Sequence, residues 1–405
     1  MKSVKSVIVD KMHKMQNVFC ELNAHGVTVK LCVPGKYYRG TRFDWAGIIR
    51  RLSFSGHEYV DEWFDNYDPT HHDCVCGPVE EFTQIGYESA LVASTPIPAS
   101  ASEALFLKIG VGMLLRPSAE SHYDRFNVYE IADPGLRSFD ISSDGSSATF
   151  RHQLSRNIHS DSSDPYCGLR SDPPCRPLTD LPTSAPSIPT HFASDSFGYD
   201  YVKTISIIGP GEIILSHCLK NTGTLQLSGS VYDHNFFNLD SMQVGPDTLI
   251  DFPFKPIGDW RSPYDNVALT QSGIRFSRPL AKGESVFMGN LRPAPQANPA
   301  SPDNSVPQAN STPTTTNTSA VLSTGSKTSF PTNGSKSALL SKPTYDNSFR
   351  LRNAGSGAGV IAECAAPFDY MVFWSNHRVA CLEPYIPFHI LPGETFSWDI
   401  KYRLI

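Results

Sequence analysis

Four stretches of the chain set ionisable side chains among aromatics in strand-like contexts, and any chemistry is expected there. In Gly40-Thr41-Arg42-Phe43-Asp44-Trp45, Arg42 offers a planar fork of donors for two neighbouring hydroxyls or a carboxylate, or else a plain surface pair with Asp44. His71-His72-Asp73-Cys74-Val75-Cys76-Gly77-Pro78 crowds potential metal ligands, yet no second ligand pair stands elsewhere at zinc spacing. The expectation is a hydrogen-bonding His in a loop at a cleft mouth and no metal. Tyr232-Asp233-His234-Asn235-Phe236-Phe237-Asn238-Leu239 places an imidazole on a strand between large aromatics, as a proton donor or as a buried ring satisfied by a carbonyl. In Cys381-Leu382-Glu383-Pro384-Tyr385-Ile386-Pro387-Phe388, one carboxylate sits among apolar groups, where acids are rare unless paired or used. Desolvation raises the pKa of such a group toward what a general base needs near neutral pH. His234 able to give a proton and Glu383 able to take one make an acid/base pair, provided folding brings them together.

The elements that would position them read as strands. Short alternating runs such as YVKTISIIGPGEIILSHCLKNTG, TLQLSGSVYDHNFFNL and FSWDIKYRLI recur between Gly, Pro, Asn and Asp, with almost no amphipathic helix. They predict an all-β fold, a large antiparallel β-sandwich with a polar cleft. With 405 residues, 40% of them hydrophobic, the chain can bury a substantial core. One domain over residues 19–405 is expected, after an N-terminal extension at 1–18. A Pro- and Ser-rich surface loop at about 155–194 and a disordered Ser/Thr/Pro-rich insertion at about 294–344 would interrupt it. Residues 345–405 hold about four strands, too few to stand alone, so they are expected to pair with strands before residue 293.

A net charge of −6 and the lack of any Lys/Arg block argue against nucleic acid as a partner. The N-terminus breaks every apolar run, and no segment approaches the roughly 18 apolar residues of a membrane span. Nine cysteines, an odd number without a C-x-x-C pair, suit reduced thiols and a cytoplasmic setting. The N-x-S/T triplets at Asn310, Asn317 and Asn333 lie in the Ser/Thr-rich stretch, where they arise by chance.

From about Cys20 to the C-terminus, outside the two insertions, the chain resembles the aldose epimerase (galactose mutarotase-like) family of β-sandwich proteins. Asn221-Thr222-Gly223 followed by Asp233-His234-Asn235-Phe236-Phe237-Asn238-Leu239 is similar to that family's acid motif, with Asp for Asn before the His. Glu383 of LEPYIP falls at the place of the family's base, before a Pro-containing loop, and Pro392-Gly393-Glu394 with Trp398 and Tyr402 resembles its last strand pair. Three binding positions follow from the same resemblance: Arg42 in GTRFDWAG, His72 ahead of Gly77, and Asp346 in Tyr345-Asp346-Asn347-Ser348-Phe349.

The resemblance implies an isomerase interconverting the α and β anomers of a hexose or related monosaccharide. A base removes the anomeric hydroxyl proton while an acid protonates the ring oxygen; the ring opens, the carbonyl turns its other face, and the steps reverse. No metal, nucleotide or redox cofactor is needed, in keeping with the lack of a GxGxxG or P-loop pattern. Arg42, His72 and Asp346 would hold hydroxyls, and Trp45, Phe236 or Trp374 would face the apolar side of the sugar or serve as plain core. Two other readings suit the same residues: a non-catalytic carbohydrate-binding protein, or a lyase acting on a sugar or uronate. A phosphorylated sugar would call on Arg50-Arg51 or on Lys36 with Arg39, which read more simply as solvated strand-end charges. Nothing in the sequence sets the oligomeric state.

Overall fold

A computed structural model describes residues 18–87, 105–118, 121–154, 196–295 and 347–405. The two insertion segments, the N-terminal extension up to residue 17 and the Asn310, Asn317 and Asn333 triplets lie outside the described residues, as does Asp346. In chain order the strands are β1 (Phe19–Ala24), β2 (Val27–Cys32), β3 (Ile49–Phe54), β4 (His57–Val60), β5 (Val79–Phe82), β6 (Leu105–Lys108), β7 (Gly112–Leu115) and β8 (Ile131–Asp133). There follow β9 (Leu136–Ile141), β10 (Ser147–Leu154), β11 (Tyr199–Gly209), β12 (Glu212–Asn221), β13 (Leu227–His234), β14 (Thr248–Asp251), β15 (Pro256–Trp260), β16 (Val267–Leu269), β17 (Gly273–Phe276) and β18 (Ser285–Pro293). The C-terminal part contributes β19 (Ser348–Asn353), β20 (Gly359–Cys364), β21 (Tyr370–Asn376), β22 (Ala380–Ile390) and β23 (Thr395–Leu404). The fold is all-β and antiparallel, with a single 3-10 turn at Leu239–Ser241 among the described residues.

Ten strands form one sheet in the order β16-β17-β14-β19-β20-β23-β12-β11-β10-β9, and six form a second in the order β15-β18-β21-β22-β13-β5. Smaller sheets of four (β1 to β4) and three (β6 to β8) strands accompany them. Alternation explains the packing: along β11 and β12 every second side chain is buried, so each strand turns one face to the core. Phe82 of the six-stranded sheet meets Tyr201 and Trp398 of the ten-stranded sheet at 5.4 and 6.1 Å between ring centres. The C-terminal part supplies five strands rather than about four, and β19, β21, β22 and β23 pair with β14, β18, β13 and β12 respectively.

The His71–Pro78 cluster lies on a loop, as expected, and the Arg42 cluster lies on a second loop; both are largely buried. Their backbone groups find partners within the fold: Cys32 N donates to Ile48 O across the Arg42 loop at 2.9 Å, and Asp44 N donates to Glu80 O at 2.9 Å. The Pro-containing loop expected after Glu383 is instead the middle of β22, between β21 and β13. Pro384 stands opposite Met371 and Pro387 opposite Ser230. Each proline forfeits one ladder bond, and the strand persists because Ile386, Phe388 and Ile390 are buried at every second position.

Candidate functional site

Strand register brings His234 and Glu383 together. Pairing Tyr232 with Tyr385 sets the residues two further along each strand, His234 and Glu383, opposite one another on the same face. Three rows of side chains then cross this face. The first runs Glu81, Tyr232, Tyr385, Tyr370; the second Val79, His234, Glu383, Val372; the third includes Cys381 and Trp374. In the first row the Tyr232 and Tyr385 rings stack with centres 3.9 Å apart, and Tyr370 stacks on Tyr385 at 4.6 Å. Arg125, from the segment between β7 and β8, lies close to Tyr385. Phe43 meets the His234 ring edge-on at 4.8 Å, so aromatic groups wall the pair on several sides.

Both ring nitrogens of His234 face carboxylates: Nδ1 lies 3.2 Å from Glu383 Oε1 and Nε2 lies 3.0 Å from Glu81 Oε2. The ring is 1% exposed and Glu383 is 6% exposed. Burial opposes a charge on the imidazole, but Glu383, then Glu81, outweigh it and raise the His234 pKa above its ordinary value. A protonated ring can donate at both nitrogens at once.

Glu81 is the residue the sequence reading missed. Arg42 Nε donates to its Oε2 at 2.8 Å, and Lys108 Nζ lies 3.5 Å from its Oε1. Burial by itself would raise the Glu81 carboxyl; Arg42, then Lys108 and His234, reverse this and hold it well below the usual carboxylate range. Lys108 is also fully buried, and burial outweighs Glu81 to push its ammonium down to about 8. The pattern Val79-Glu80-Glu81-Phe82 carried a usable signal. Two adjacent acids on a buried strand face opposite sides, so each needs its own cation. Glu80 turns to the core, paired with Lys203 and with His217 Nε2 at 2.8 Å.

Arg42 therefore spends its fork on protein acids, since its NH1 group also donates to Asp73 Oδ1 at 2.8 Å. It positions Glu81 and is not paired with Asp44, whose Oδ1 accepts from Ala46 N at 2.8 Å. His72 reaches the same network from outside, with Nε2 3.1 Å from Asp73 Oδ2 and a quarter of its side chain exposed. Burial would raise the Asp73 carboxyl, but His72 and Arg42 outweigh it and hold it low. Four of the five residues singled out from sequence, Arg42, His72, His234 and Glu383, thus join one network through Asp73 and Glu81.

Among the described residues, one group of three could offer donors to a metal ion: His234, Cys381 and Glu383, all within 4.8 Å of one another. The His71–Cys76 stretch forms no such group among them. A set of one imidazole, one thiol and one carboxylate suits a borderline divalent cation. Here the thiol of Cys381 donates instead to Glu383 Oε1 at 3.6 Å.

One glycine is required by this arrangement. A Cβ on Gly77 would collide with the His234 carbonyl oxygen. Gly77→Ala is expected to cost about 1–3 kcal/mol through the backbone shift it forces, read as a lowered midpoint in thermal unfolding.

No protein-family model matches the chain, and no curated protein matches it in sequence. Solved structures do. A galactose mutarotase-like protein from Clostridium acetobutylicum is 10% identical, with 95% of this chain and 94% of that chain covered and a TM-score of 0.44. A galactose mutarotase related enzyme from Lactobacillus acidophilus is 10% identical over 96% and 97% of the two chains, with a TM-score of 0.42. An aldose epimerase homologue from C. elegans is 9% identical over 96% and 98%, with a TM-score of 0.40. Residue roles rest on the geometry above.

Proposed function

We propose that the protein is an aldose epimerase-like isomerase that interconverts the anomers of a reducing sugar, with His234 as general acid and Glu383 as general base. The observation that carries this reading is the 3.2 Å separation of His234 Nδ1 and Glu383 Oε1 on one sheet face. The two oxygens on an anomeric carbon are separated by that single carbon, so a donor and an acceptor this close can face both at once. Glu383 takes the proton of the anomeric hydroxyl while His234 Nδ1–H passes its proton to the ring oxygen. The bond from the anomeric carbon to the ring oxygen breaks and a carbonyl forms. After rotation of the open chain, Glu383 returns its proton to the carbonyl oxygen and His234 recovers its own from the hydroxyl that closes the ring. Glu81 holds Nε2–H throughout and favours the charged ring, so the acid is recharged each cycle. His72 and Asp73, at the exposed end of the network, and Asp346 are proposed to hold sugar hydroxyls.

Polarimetry on freshly dissolved α-glucose and α-galactose tests this. The expected result is equilibration faster than the spontaneous rate for at least one sugar; an unchanged rate for both removes the proposal. The pH dependence has a definite sign. The acid works only while His234 is protonated, so the rate should fall as pH rises through its pKa, which lies above the ordinary value of about 6.5. A rate that climbs steadily from pH 6 to pH 9 contradicts the assignment.

The burial of His234, 1% exposed, favours a second reading, a carbohydrate-binding protein without catalysis. Sugar binding by calorimetry without any faster equilibration would establish it. No helix among the described residues is long and apolar enough to cross a membrane. Seven free cysteines among them support a reducing compartment, and we place the protein in the cytoplasm.

A further inference from the structure

Cys381 and Glu383 are two residues apart on β22, so their side chains share a face, and strand register sets His234 of β13 beside them. One donor atom from each lies within 4.8 Å of the others. Two of the three separations are known individually: His234 Nδ1 stands 3.2 Å and Cys381 Sγ 3.6 Å from the same Glu383 Oε1. A tetrahedral Zn²⁺, about 2.0–2.1 Å from nitrogen or oxygen and about 2.3 Å from sulfur, spaces its ligands roughly 3.3–3.6 Å apart. Two edges of such a site are therefore already set.

The surroundings suit an ion as well. Metal-bound imidazoles almost always donate their other ring N–H to a carboxylate, a carbonyl or water, which fixes the ring. His234 does this through Nε2, 3.0 Å from Glu81 Oε2, and Arg42 in turn holds Glu81 at 2.8 Å. Charge also balances. In the metal-free form both ring nitrogens face carboxylates and carry protons, so a cationic ring stands beside one carboxylate and a neutral thiol. When a divalent cation enters, one proton leaves Nδ1 and one leaves Sγ. The charge within the triad is zero in both forms, so no new unpaired charge is buried. The nearby cation Arg42 is already spent on Glu81 and Asp73.

We propose that His234, Cys381 and Glu383 form a three-ligand site for a zinc-class divalent cation, and that filling it silences the acid/base pair. The ion takes the lone pair of Nδ1 and the charge of Glu383, so neither group can move a proton. A thiolate with an imidazole selects against Mg²⁺ and Ca²⁺, which prefer oxygen ligands. The site stands on geometry alone, whereas the silencing rests on the anomerase reading above.

The experiment titrates the full chain with Zn²⁺ by calorimetry and with Co²⁺ by absorption, where a thiolate ligand gives a charge-transfer band. Cys381→Ser and Cys218→Ser are compared with the intact protein. Cys218 carries an exposed thiol on β12 and reports on surface binding. One equivalent of each ion, with its share of the cobalt band, is expected to be lost in Cys381→Ser and kept in Cys218→Ser. Mg²⁺ in excess should displace neither ion. In polarimetry on α-glucose and α-galactose, saturating Zn²⁺ should lower the rate at least tenfold, and EDTA should restore it. Half-inhibition of any activity left in Cys381→Ser should need at least tenfold more Zn²⁺. Cys381→Ala repeats the comparison should Cys381→Ser fold poorly. Unchanged stoichiometry and cobalt spectrum in both Cys381 variants overturn the site, and equilibration of sugar in the same protein leaves the anomerase reading standing. Binding that depends on Cys381 without any slowing of equilibration overturns the silencing. Binding that depends on Cys381 in a protein that equilibrates neither sugar supports the site and removes the anomerase reading.

Discussion

Glu383→Gln is expected to lower the rate of anomer equilibration by about 10²–10⁴-fold, the usual worth of one positioned proton-transfer group. The substitution keeps the shape and the acceptor oxygen that meets His234 Nδ1, but removes the ability to take a proton. The same change withdraws the strongest charge supporting protonated His234, so the ring's pKa should fall toward its ordinary value. Residual activity should then be lost at lower pH than in the intact protein. A structural role for Glu383 predicts lost stability and the same pH shift, with the rate at low pH retained. Polarimetry across pH, beside a thermal melt, separates the two. Retention of full activity by Glu383→Gln would falsify its assignment as the base.

Glu81→Ala is expected to have the largest effect on stability, about 3–5 kcal/mol, because removing one member of a buried ionic cluster leaves its partners uncompensated. Arg42, Lys108 and His234 all meet this carboxylate, and Lys108 is 1% exposed. Denaturant unfolding would measure the loss, and a change below about 1 kcal/mol would show that water reaches the cluster. The pH dependence follows from the depressed pKa of Glu81. Its contribution is fully present above the unfolded-state value of about 4.3 and is lost as pH falls through the lower folded-state value. His234 has the opposite sign. Its contribution is present below about 6.5 and is lost as pH rises through the raised folded-state value. Glu81→Gln, which keeps the volume, should unfold less readily than Glu81→Ala and still shift the activity profile to lower pH.

Both members of the proposed acid/base pair were legible as candidates in the sequence because each has a local signature. His234 ends an alternating run, and Glu383 is a single acid among apolar neighbours. Their contact was not legible, since it depends on β13 pairing with β22 in one register. Glu81 and Lys108 escaped notice for a related reason. Lys108 is one charge on a short buried strand and Glu81 one of two adjacent acids on another, and only the tertiary arrangement shows that Glu81 lies between Lys108 and Arg42. The two prolines after Glu383 pointed toward a loop, and neighbours on both sides overrode that local preference. Arg42 carried the right chemistry for a bidentate partner, but its partners are Glu81 and Asp73, both distant along the chain.

Strand β5 lies at the margin of the six-stranded sheet, and β13 is its sole strand neighbour among the described residues. Margins are where sheets unzip first. Because Glu80 and Glu81 are successive on this strand, peeling it away would strip Lys203 and His217 on one face, and His234 on the other, of counter-charges in a single event. Integrity of the sandwich and the charge on the His234 ring are thereby tied to the docking of four residues.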